Sequence, residues 1–496
     1  MIPEWSDVYG VASYPDLTGV TLKSSFTDLL AKLGSHSETQ DRSASFFMTG
    51  SYSYKDRYVI QGSARLDGVD IIGTDNRFSP LWNVSGKWNV HNESFMTRFG
   101  FINQLAFRVS YGFVGSIDRN ALPFSVLRKV SNYSYNGEKI MDRYDPSNPS
   151  IKWQRQENRN IGFDASLLNN RINLVVNYYD NDTRNLLDDK KIAASTGRLS
   201  VAANVASVNN RGWEISLRTL NVRTTDFSWV TSVNFTKNKD KVTETYYQDL
   251  SEVSASTNST FESIYNLYIQ GRPVKAFYGY KYAGVDPYTG NSLAYVDGFD
   301  DDGNRLGTLT PEGKYVYNMD NDLTTQLANS SRGYLGRSDP PITGGFTTQF
   351  NYKRFSLFAQ FTYMTGHLAR SFQYYVSGGT TSASARNLLK IEANRWRKPG
   401  DMTDVPKYGT SRTEYLYQLF DFRFEKGDYL KCNNISLGYN LDPALCAKLY
   451  ITRARLNLNM ANVFTLTKFR GIDPETKGAF TYPSARTYSF TLSIGI

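Results

Sequence analysis

Aromatic and arginine side chains that could bind a sugar ring or a peptide group are concentrated in one stretch, residues 365–428. The segments RSFQYYVSGG and EANRWRKPG in this stretch offer ring faces for stacking and guanidinium groups for hydrogen bonding. The same rings could instead pack the stretch against its neighbours, which is the more common use of aromatic residues in a long loop. The candidate substrate-binding residues are Tyr374, Tyr375, Arg395, Trp396, Tyr415 and Tyr417.

Carboxylates that could do acid–base or metal chemistry occur in two other places. Asp164 and Glu214 take inward positions on two separate predicted strands, and a carboxylate pair is what glycoside hydrolysis requires. A water-filled interior would carry such charges without catalysis, so we expect no catalytic residue. The acidic segment YVDGFDDDGNRLG (295–307) lacks the alternate spacing and the following Glu of a calcium loop, and it predicts a surface turn.

Cysteine and histidine are too scarce for a disulfide framework, a nucleophilic triad or the usual metal centres. The chain has three histidines and two cysteines, Cys432 and Cys446. Cys432 lies within a predicted strand and Cys446 beyond its end, roughly 20 Å away if the segment is extended, which is too far for a disulfide. We therefore expect no cofactor, no metal and no enzymatic activity; a secreted β-rich enzyme is the weakest alternative.

The composition excludes several classes of protein. Aromatic residues make up 14% of the 496 residues, which excludes low-complexity disorder, and no apolar run reaches the roughly 18 residues of a membrane-spanning helix. The net charge of +9 is spread without any dense basic run, so we expect no nucleic acid partner, whereas anionic lipopolysaccharide could face this charge. The start MIPEWSDVYG shows no signal peptide, so an exported protein is expected to be a processed or truncated chain.

A period of two in hydrophobicity is the main structural signal. In RTYSFTLSIGI (486–496), Tyr488, Phe490, Leu492 and Ile494 alternate with Thr, Ser and Gly, which is typical of a strand with one apolar and one polar face. About eleven tilted residues cross an apolar band of about 25 Å. The same alternation predicts about thirteen strands, near 44–54, 58–66, 82–90, 101–111, 158–168, 171–180, 210–219, 226–236, 344–352, 355–364, 429–439, 452–461 and 486–496. A helical period is confined to 24–34 and 385–396.

The lengths of the connections favour a membrane barrel. Short links such as 55–57, 169–170 and 353–354 alternate with long ones, at 67–81, 112–157, 181–209, 237–343, 365–428 and 462–485. Outer-membrane barrels have short periplasmic turns and long extracellular loops, so the C-terminus is expected in the periplasm. This alternation holds if 237–343 contains no membrane strand or an even number, such as a pair near 276–283 and 291–297.

Aromatic residues near predicted strand ends indicate the two interfacial girdles of such a barrel. They are also simply common in strands, which is the alternative explanation. The girdle candidates are Tyr54, Tyr58, Tyr111, Tyr178, Tyr352, Phe355, Tyr439 and Tyr488.

Several segments together resemble the SusC/RagA family of TonB-dependent outer-membrane transporters. The resemblance covers nearly everything from about residue 44 to the end, in the order and spacing of the family. It is carried by YSYKDRYVIQGSARLDGVDIIGTDNRFSPLWNVSGKWNV (52–90), NPSIKWQRQENRNIGFDASLLNNRINLVVNYYDNDTRNLL (148–187), NVASVNNRGWEISLRT (204–219), GVDPYTG (284–290), LGRSDPPITGGFTTQFNYKRFSLFAQFTYMTG (335–366), NRWRKPGDMTDVP (394–406), GDYLKCNNISLGYNL (427–441) and NVFTLTKFRGIDPET (462–476).

This resemblance implies an all-β fold: an antiparallel transmembrane β-barrel holding about 13–15 strands of a 22-stranded type. It also implies uptake of glycan or peptide oligomers, with a SusD-like surface lipoprotein as partner and the TonB–ExbB–ExbD complex acting through an N-terminal part. The chain departs from the family in lacking a plug domain, a TonB box and roughly nine strands. We therefore expect the C-terminal barrel portion, not competent for transport alone, in the outer membrane of a Gram-negative bacterium.

The expected organisation has two parts. Residues 1–43 form an irregular extracellular lead-in, and residues 44–496 form the barrel portion, with 237–343 and 365–428 as large extracellular loops. An incomplete set of strands has two open edges, closed by a second chain, by a smaller irregular closure, or not at all in a stable state. The alternative is a soluble or surface-attached all-β glycan-binding protein, in which the apolar face of each strand is sealed against a second sheet.

Overall fold

The computed structural model describes residues 42–72, 76–118, 126–135, 138–145, 148–196, 200–246, 269–296, 308–318, 333–371, 390–407, 420–476 and 482–496. Within these ranges the chain forms twenty-three strands, five short 3-10 helices and one α-helix. The expected lead-in 1–43 and the helical segment 24–34 lie outside the described residues, apart from the last two residues of the lead-in.

Thirteen of the strands form the main sheet and correspond one to one with the thirteen predicted strands. They are β1 (Ser43–Tyr54), β2 (Tyr58–Val69), β3 (Phe78–Asn89), β4 (Ile102–Ser116), β7 (Gln154–Leu167), β8 (Ile172–Lys191), β9 (Ser200–Arg223), β10 (Phe227–Glu244), β17 (Ile342–Tyr352), β18 (Phe355–Thr365), β21 (Tyr429–Asn440), β22 (Arg453–Thr467) and β23 (Thr487–Gly495). The other ten strands are short or belong to small sheets: β5 (Val126–Tyr135), β6 (Glu138–Asp145), β11 (Ala276–Gly279), β12 (Lys281–Val285), β13 (Ser292–Val296), β14 (Thr308–Leu309), β15 (Tyr315–Asn318), β16 (Gly333–Arg337), β19 (Leu368–Arg370) and β20 (Phe424–Lys426).

The main sheet is entirely antiparallel, and its order follows the chain: β1-β2-β3-β4-β7-β8-β9-β10-β17-β18-β21-β22-β23. Several strands run further than predicted at the ends away from the tight turns; β8, β9 and β10 have 20, 24 and 18 residues. Their extensions mix polar and apolar residues on both faces, so they have no apolar alternation, but the main-chain ladder continues regardless of side chain. The predicted long connection 181–209 is therefore wrong, because β8 and β9 remain paired through most of it.

The cross-strand register aligns the apolar residues of neighbouring strands on one face, which we call the apolar face. Phe107 packs on Phe163 with ring centroids 5.1 Å apart, and Phe346 stacks on Phe361 at 4.5 Å. These side chains are not covered by a second sheet: Ile161 is 59% exposed and Phe490 is 69% exposed. The opposite face, which we call the polar face, carries Arg, Asn, Gln, Ser and Thr. The alternative of a two-layer glycan-binding sandwich is therefore wrong, and the barrel-type sheet is confirmed.

Aromatic residues flank the tight turns as the girdle hypothesis requires. Tyr54 pairs with Tyr58 across the turn 55–57, and Tyr352 pairs with Phe355 across the turn 353–354. Phe355 in turn packs on Tyr439 at 4.7 Å. The other candidates differ in position: Tyr488 lies at the start of β23, while Tyr111 and Tyr178 lie inside β4 and β8 because these strands continue beyond the apolar band.

The connection between β10 and β17 contributes no strand to the main sheet, since these two strands pair directly. Strands do occur where the pair near 276–283 and 291–297 was expected, but they belong to small sheets: β11 with β16, and β12, β13, β15 and β14 together. A third small sheet pairs β19 with β20, and β5 pairs with β6. The alternation of short and long connections is thus kept with no additional membrane strand.

Helical structure is minor in the described ranges. The 3-10 helices span Val90–Asn92, Ser94–Arg98, Ala194–Thr196, Lys390–Asn394 and Asp421–Arg423. The helical period predicted over 385–396 thus yields a single 3-10 turn among its described residues. The α-helix α1 (Pro443–Lys448) was not predicted, although Asp442 is its N-cap and accepts from the Ala444 N–H at 2.9 Å. None of these helices is long and apolar enough to cross a bilayer.

Candidate functional site

The two long connections, between β10 and β17 and between β18 and β21, meet at one end of the main sheet. We call their described parts, residues 245–246, 269–296, 308–318, 333–341, 366–371, 390–407 and 420–428, the connection module. Asp240 of β10 accepts the Val274 N–H at 2.7 Å and is ion-paired with Arg337. The Asn238 N–H donates to the Pro341 carbonyl at 2.8 Å. These contacts fix the first connection on the end of β10.

An aromatic cluster joins the two connections inside the module. Tyr282, from the first connection, packs against Phe420 and Phe422 of the second with ring centroids 4.8 Å from each. The Tyr282 N–H also donates to the Asp421 carboxylate at 3.1 Å. Phe277 of the first connection packs on Phe424 of the second, with ring centroids 4.7 Å apart. Aromatic contacts therefore join the two connections at two places. The module is therefore one packed unit rather than two independent loops.

A second pair of rings lies where the module contacts β10. Tyr278 and Tyr334 pack edge to face at 6.0 Å, and the Arg272 guanidinium lies 4.6 Å from the centre of the Tyr334 ring. Burial raises the pKa of Tyr278 to about 12, and burial also raises the pKa of Tyr334. Both phenols therefore stay neutral at physiological pH. They are positioned to pack rather than to transfer protons.

Trp396 packs onto the turn Asp286–Gly290 of the first connection. Its indole N–H donates to the Pro287 carbonyl at 2.9 Å, and its backbone N–H donates to the Val405 carbonyl at 2.9 Å. Gly290, at φ +74°, lies so close to the Trp396 ring that a Cβ there would overlap it. The segments GVDPYTG and NRWRKPGDMTDVP, far apart in sequence, thus form one contact.

Only part of the predicted binding site can be placed. Arg395 and Trp396 are adjacent on the module, and both are half-buried. The backbone of Arg395 forms an isolated parallel β-bridge with that of Val405. The packing and the indole hydrogen bond of Trp396 match the alternative in which these residues hold the loop together. Tyr374, Tyr375, Tyr415 and Tyr417 lie outside the described residues, so the site as a set stays a prediction. The acidic part of 295–307, from 297 on, also lies outside them.

The polar face of the main sheet carries an ion-pair network that sequence reasoning missed. Arg108 donates to both oxygens of Asp164, at 2.8 and 2.7 Å, and to the Asn177 side chain at 3.0 Å. Glu214 lies on β9, two strands away from β7, which is roughly 10 Å across the sheet. Because Arg108 engages both oxygens of Asp164 and Glu214 lies two strands away, the two carboxylates do not face each other as a hydrolytic pair.

The two cysteines lie in different elements. Cys432 in β21 and Cys446 in α1 are both buried and free. Within the described ranges, no group of three His, Cys, Asp or Glu side chains could hold a metal ion. The sequence does contain signals for the turn at Asp286–Gly290 and for the position of Arg108. Asp-Pro and Gly in GVDPYTG indicate a tight turn, and Arg108 alternates with the apolar residues of its strand, which places it on the polar face.

Comparison with known proteins gives a consistent family assignment. A family profile described as TonB dependent receptor-like, beta-barrel, matches residues 4–303. TonB-dependent receptor P39 of Formosa agariphila is 28% identical over 460 residues, covering 87% of this chain and 43% of the relative. TonB-dependent receptor SusC of Bacteroides thetaiotaomicron is 25% identical over 478 residues, covering 92% of this chain and 44% of the relative.

Solved structures agree with these relatives. The RagAB peptide transporter superposes with a TM-score of 0.72 at 27% identity, covering 92% of this chain and 48% of that chain. The same importer in a closed-closed state gives a TM-score of 0.71. The chain spans less than half the length of the curated relatives it matches.

Proposed function

Because the chain belongs to the TonB-dependent receptor-like β-barrel family, we propose that it supplies part of the barrel of an importer that takes up peptide or oligosaccharide oligomers. The family is one of outer-membrane transporters of Gram-negative bacteria, not of enzymes. The observation that carries the proposal is the two-faced main sheet: its apolar face is uncovered and its polar face carries ion pairs such as Arg108–Asp164. Such a sheet can contact lipid on one side and line a wet channel on the other.

The proposed substrate site lies in the connection between β18 and β21, on the extracellular side. Arg395 and Trp396 stand on the module, and Tyr374, Tyr375, Tyr415 and Tyr417 belong to the same connection. Rings and guanidinium groups stack on sugar rings and hydrogen-bond to peptide carbonyls or carboxylates. The similarity to the RagAB peptide transporter supports the peptide class. The oligosaccharide class follows from the resemblance of the sequence to the SusC/RagA family.

The proposed partners follow from the same relatives. A SusD-like surface lipoprotein would cap the extracellular side, where the module lies. The TonB–ExbB–ExbD complex would act through the N-terminal plug and TonB box that the resemblance implies for the family. We propose that the barrel portion does not transport without them.

Uptake measured in the bacterium that encodes the chain tests the proposal. Removing its coding region is expected to abolish growth on one class of oligomer, peptides as nitrogen source or oligosaccharides as carbon source, and to abolish uptake of the matching fluorescent oligomer. Growth on monomers of the same nutrient is the control and should not change. Unchanged uptake of both classes would contradict the proposal.

A variant series then tests the site itself. Replacing Tyr374, Tyr375, Tyr415 and Tyr417 by alanine should weaken oligomer binding at least about tenfold, since stacking contributes about 1 kcal/mol or more per ring. A double variant at Tyr450 and Tyr482, which are 94% and 92% exposed, is the matched control. If the two variants bind the oligomer equally well, the assigned residues are wrong although the import function can stand.

A further inference from the structure

Four cations continue the apolar face of β9 and β10 beyond Trp213 and Phe235. They are Arg211, Lys237, Lys239 and Lys241, which we call the cationic strip. The register places Lys237 opposite Trp213, which belongs to the apolar face, and the next two lysines opposite Arg211 and Asn209. All four side chains are exposed. The strip therefore shares the surface of the apolar face and not that of the polar face.

The strip begins where the apolar band of a membrane sheet ends. Lys237 stands ten residues after Phe227, the first residue of β10, whose other end leads into the connection module. At a rise of about 3.3 Å and a tilt of about 40°, ten residues climb about 25 Å, the height of the apolar band. Below the strip, Trp213 packs on Tyr178 at 4.9 Å, and Trp213 is 47% exposed. Apolar residues, an aromatic pair and cations thus follow one another toward the extracellular side.

Three carboxylates lie beside the strip on β7 and β8, and Asp180 is opposite Arg211 in the register. Asp180 and Asp182 of β8 accept from the Asn209 side chain at 2.7 and 2.8 Å, and both are within 3.7 Å of Arg159. Glu157 is paired with the same Arg159 at 2.7 Å. Within the described part of the chain, none of the four strip cations forms an ion pair.

Further charges on the same face leave the local balance positive. Arg155 and Arg184, opposite one another on β7 and β8, add two exposed cations beside the strip. Glu244, three residues beyond Lys241, is the acid at the far end of β10 and accepts the Ser207 hydroxyl at 2.8 Å. A positive surface bordering an apolar and aromatic band is complementary to a layer of anionic headgroups.

We propose that the cationic strip binds the phosphate groups of an anionic glycolipid of the lipid A type in the extracellular leaflet. The acyl chains would lie on the apolar face below, against Trp213 and Phe235, and the phosphates would meet the three lysines and Arg211. The inference rests on outer-membrane location and on neither the nutrient nor the partner lipoprotein. The contact between the positive charge of the chain and lipid is thus assigned to the extracellular part of β9 and β10.

A triple variant, Lys237→Gln, Lys239→Gln and Lys241→Gln, tests the strip in the receptor isolated from the outer membrane. Glutamine keeps the length and polarity of these exposed side chains, so the heat-modifiable band of the folded barrel should remain. The matched control replaces Lys55, Lys353 and Lys448, three exposed lysines at the tight-turn end of the sheet, by glutamine. A third variant with arginine at the three strip positions keeps the charge.

Binding is measured by native mass spectrometry after transfer into nanodiscs that contain phosphorylated or dephosphorylated lipid A. Because each basic residue near an anionic surface adds to the attraction, the glutamine variant should retain phosphorylated lipid A at least about tenfold less than wild type. The control and the arginine variant should retain it like wild type, and dephosphorylated lipid A should bind all four proteins equally weakly.

Equal retention by the glutamine variant and the wild type would overturn the inference, as would equal binding of the two lipids by the wild type. Displacement of lipid A by millimolar inorganic phosphate would show a site for free phosphate instead. If the glutamine variant does not fold, the comparison of the two lipids in wild type, and its loss with added salt, decides the question. None of these results depends on oligomer uptake, so failure of the import proposal would be seen separately.

Discussion

At the scale of single residues, Gly290 and Trp396 determine whether the two long connections pack as one unit. Gly290 has a positive φ that residues other than glycine rarely adopt. The Trp396 ring occupies the space that a Cβ at this position would need. Because the indole also donates to Pro287, displacing the ring would break a hydrogen bond as well as a packing contact. The contact is therefore expected to be sensitive to a single added methyl group.

The substitution Gly290→Ala should loosen the connection module. We expect a cost of about 1 kcal/mol for the backbone conformation and about 1–3 kcal/mol more for the overlap with Trp396. The control is Gly313→Ala, since Gly313 has a similar φ of +78° but nothing within 4 Å of its would-be Cβ. Limited proteolysis of the connections should be faster in the first variant than in the second. Equal rates would show that the contact with Trp396 does not hold the module.

Glu93 plays a comparable role at the opposite end of the sheet. Its carboxylate accepts the Tyr58 hydroxyl at 2.7 Å, the Trp88 indole N–H at 3.1 Å and the Arg57 guanidinium at 3.2 Å. The hydrogen bonds from Tyr58 and Trp88, with the charge of Arg57, lower the pKa of the Glu93 carboxyl. The carboxylate thus joins the first three strands beside their tight turns.

The lowered pKa gives a signed pH dependence. Because the folded-state pKa of Glu93 is below its unfolded value, its contribution to stability is present above the unfolded pKa, about 4.3, and is lost as the pH falls through the folded pKa. The conversion temperature of the heat-modifiable band should therefore fall less on acidification in Glu93→Gln than in wild type. Glu312→Gln, at an exposed turn, is the control. An identical acid response in all three proteins would contradict this role.

At the scale of elements, the alternation of residues along each strand was sufficient to predict the whole main sheet. Thirteen strands were predicted and thirteen are paired, because burying one face against lipid imposes a strict period of two. The alternation offered 276–283 and 291–297 as a membrane pair, whereas these strands belong to small sheets. It did not reveal β5, β6, the other small-sheet strands or the extensions of β8–β10. Those strands are stabilised by pairing and by local contacts such as Asp240 with Val274, and they need no apolar period.

The two faces should therefore respond differently to the same substitution in β23. Leu492, 52% exposed on the apolar face, faces the hydrocarbon, whereas Thr491 belongs to the polar face. Arginine at position 492 should cost about 2–4 kcal/mol near the bilayer midplane and lower the amount of assembled protein, while arginine at 491 should be tolerated. The amount of heat-modifiable protein in the outer membrane is the measurement. Equal loss in both variants would mean that the faces are not distinguished by lipid.

The candidate site was less predictable than the sheet. Arg395 and Trp396 were identified from residue type alone, but their packing on Asp286–Gly290 joins segments about a hundred residues apart, and no local pattern encodes it. The pairing of Arg108 with Asp164 likewise depends on the register of β4 and β7, which becomes known only when the strands are paired.

At the scale of the whole molecule, the main sheet has two edges, β1 and β23, which are not paired with one another among the described residues. Closure by a smaller irregular barrel is therefore not what the structure shows. The unpaired backbone at both edges is costly in lipid, so we expect further strands, from a longer chain or a second one, to complete the barrel. The exposed residues of β1, such as Phe46 and Phe47 at 69% and 77%, are the surface such strands would cover.

The function proposed for the main sheet requires that its apolar face contacts hydrocarbon while its polar face contacts water. Spin labels placed one at a time on residues 356–362 of β18, in a protein whose Cys432 and Cys446 have been replaced, test it directly in outer-membrane vesicles. Labels at 357, 359 and 361 are expected to be accessible to oxygen, and labels at 356, 360 and 362 are expected to be accessible to a water-soluble nickel complex. Uniform accessibility along the strand, or the reverse alternation, would contradict it.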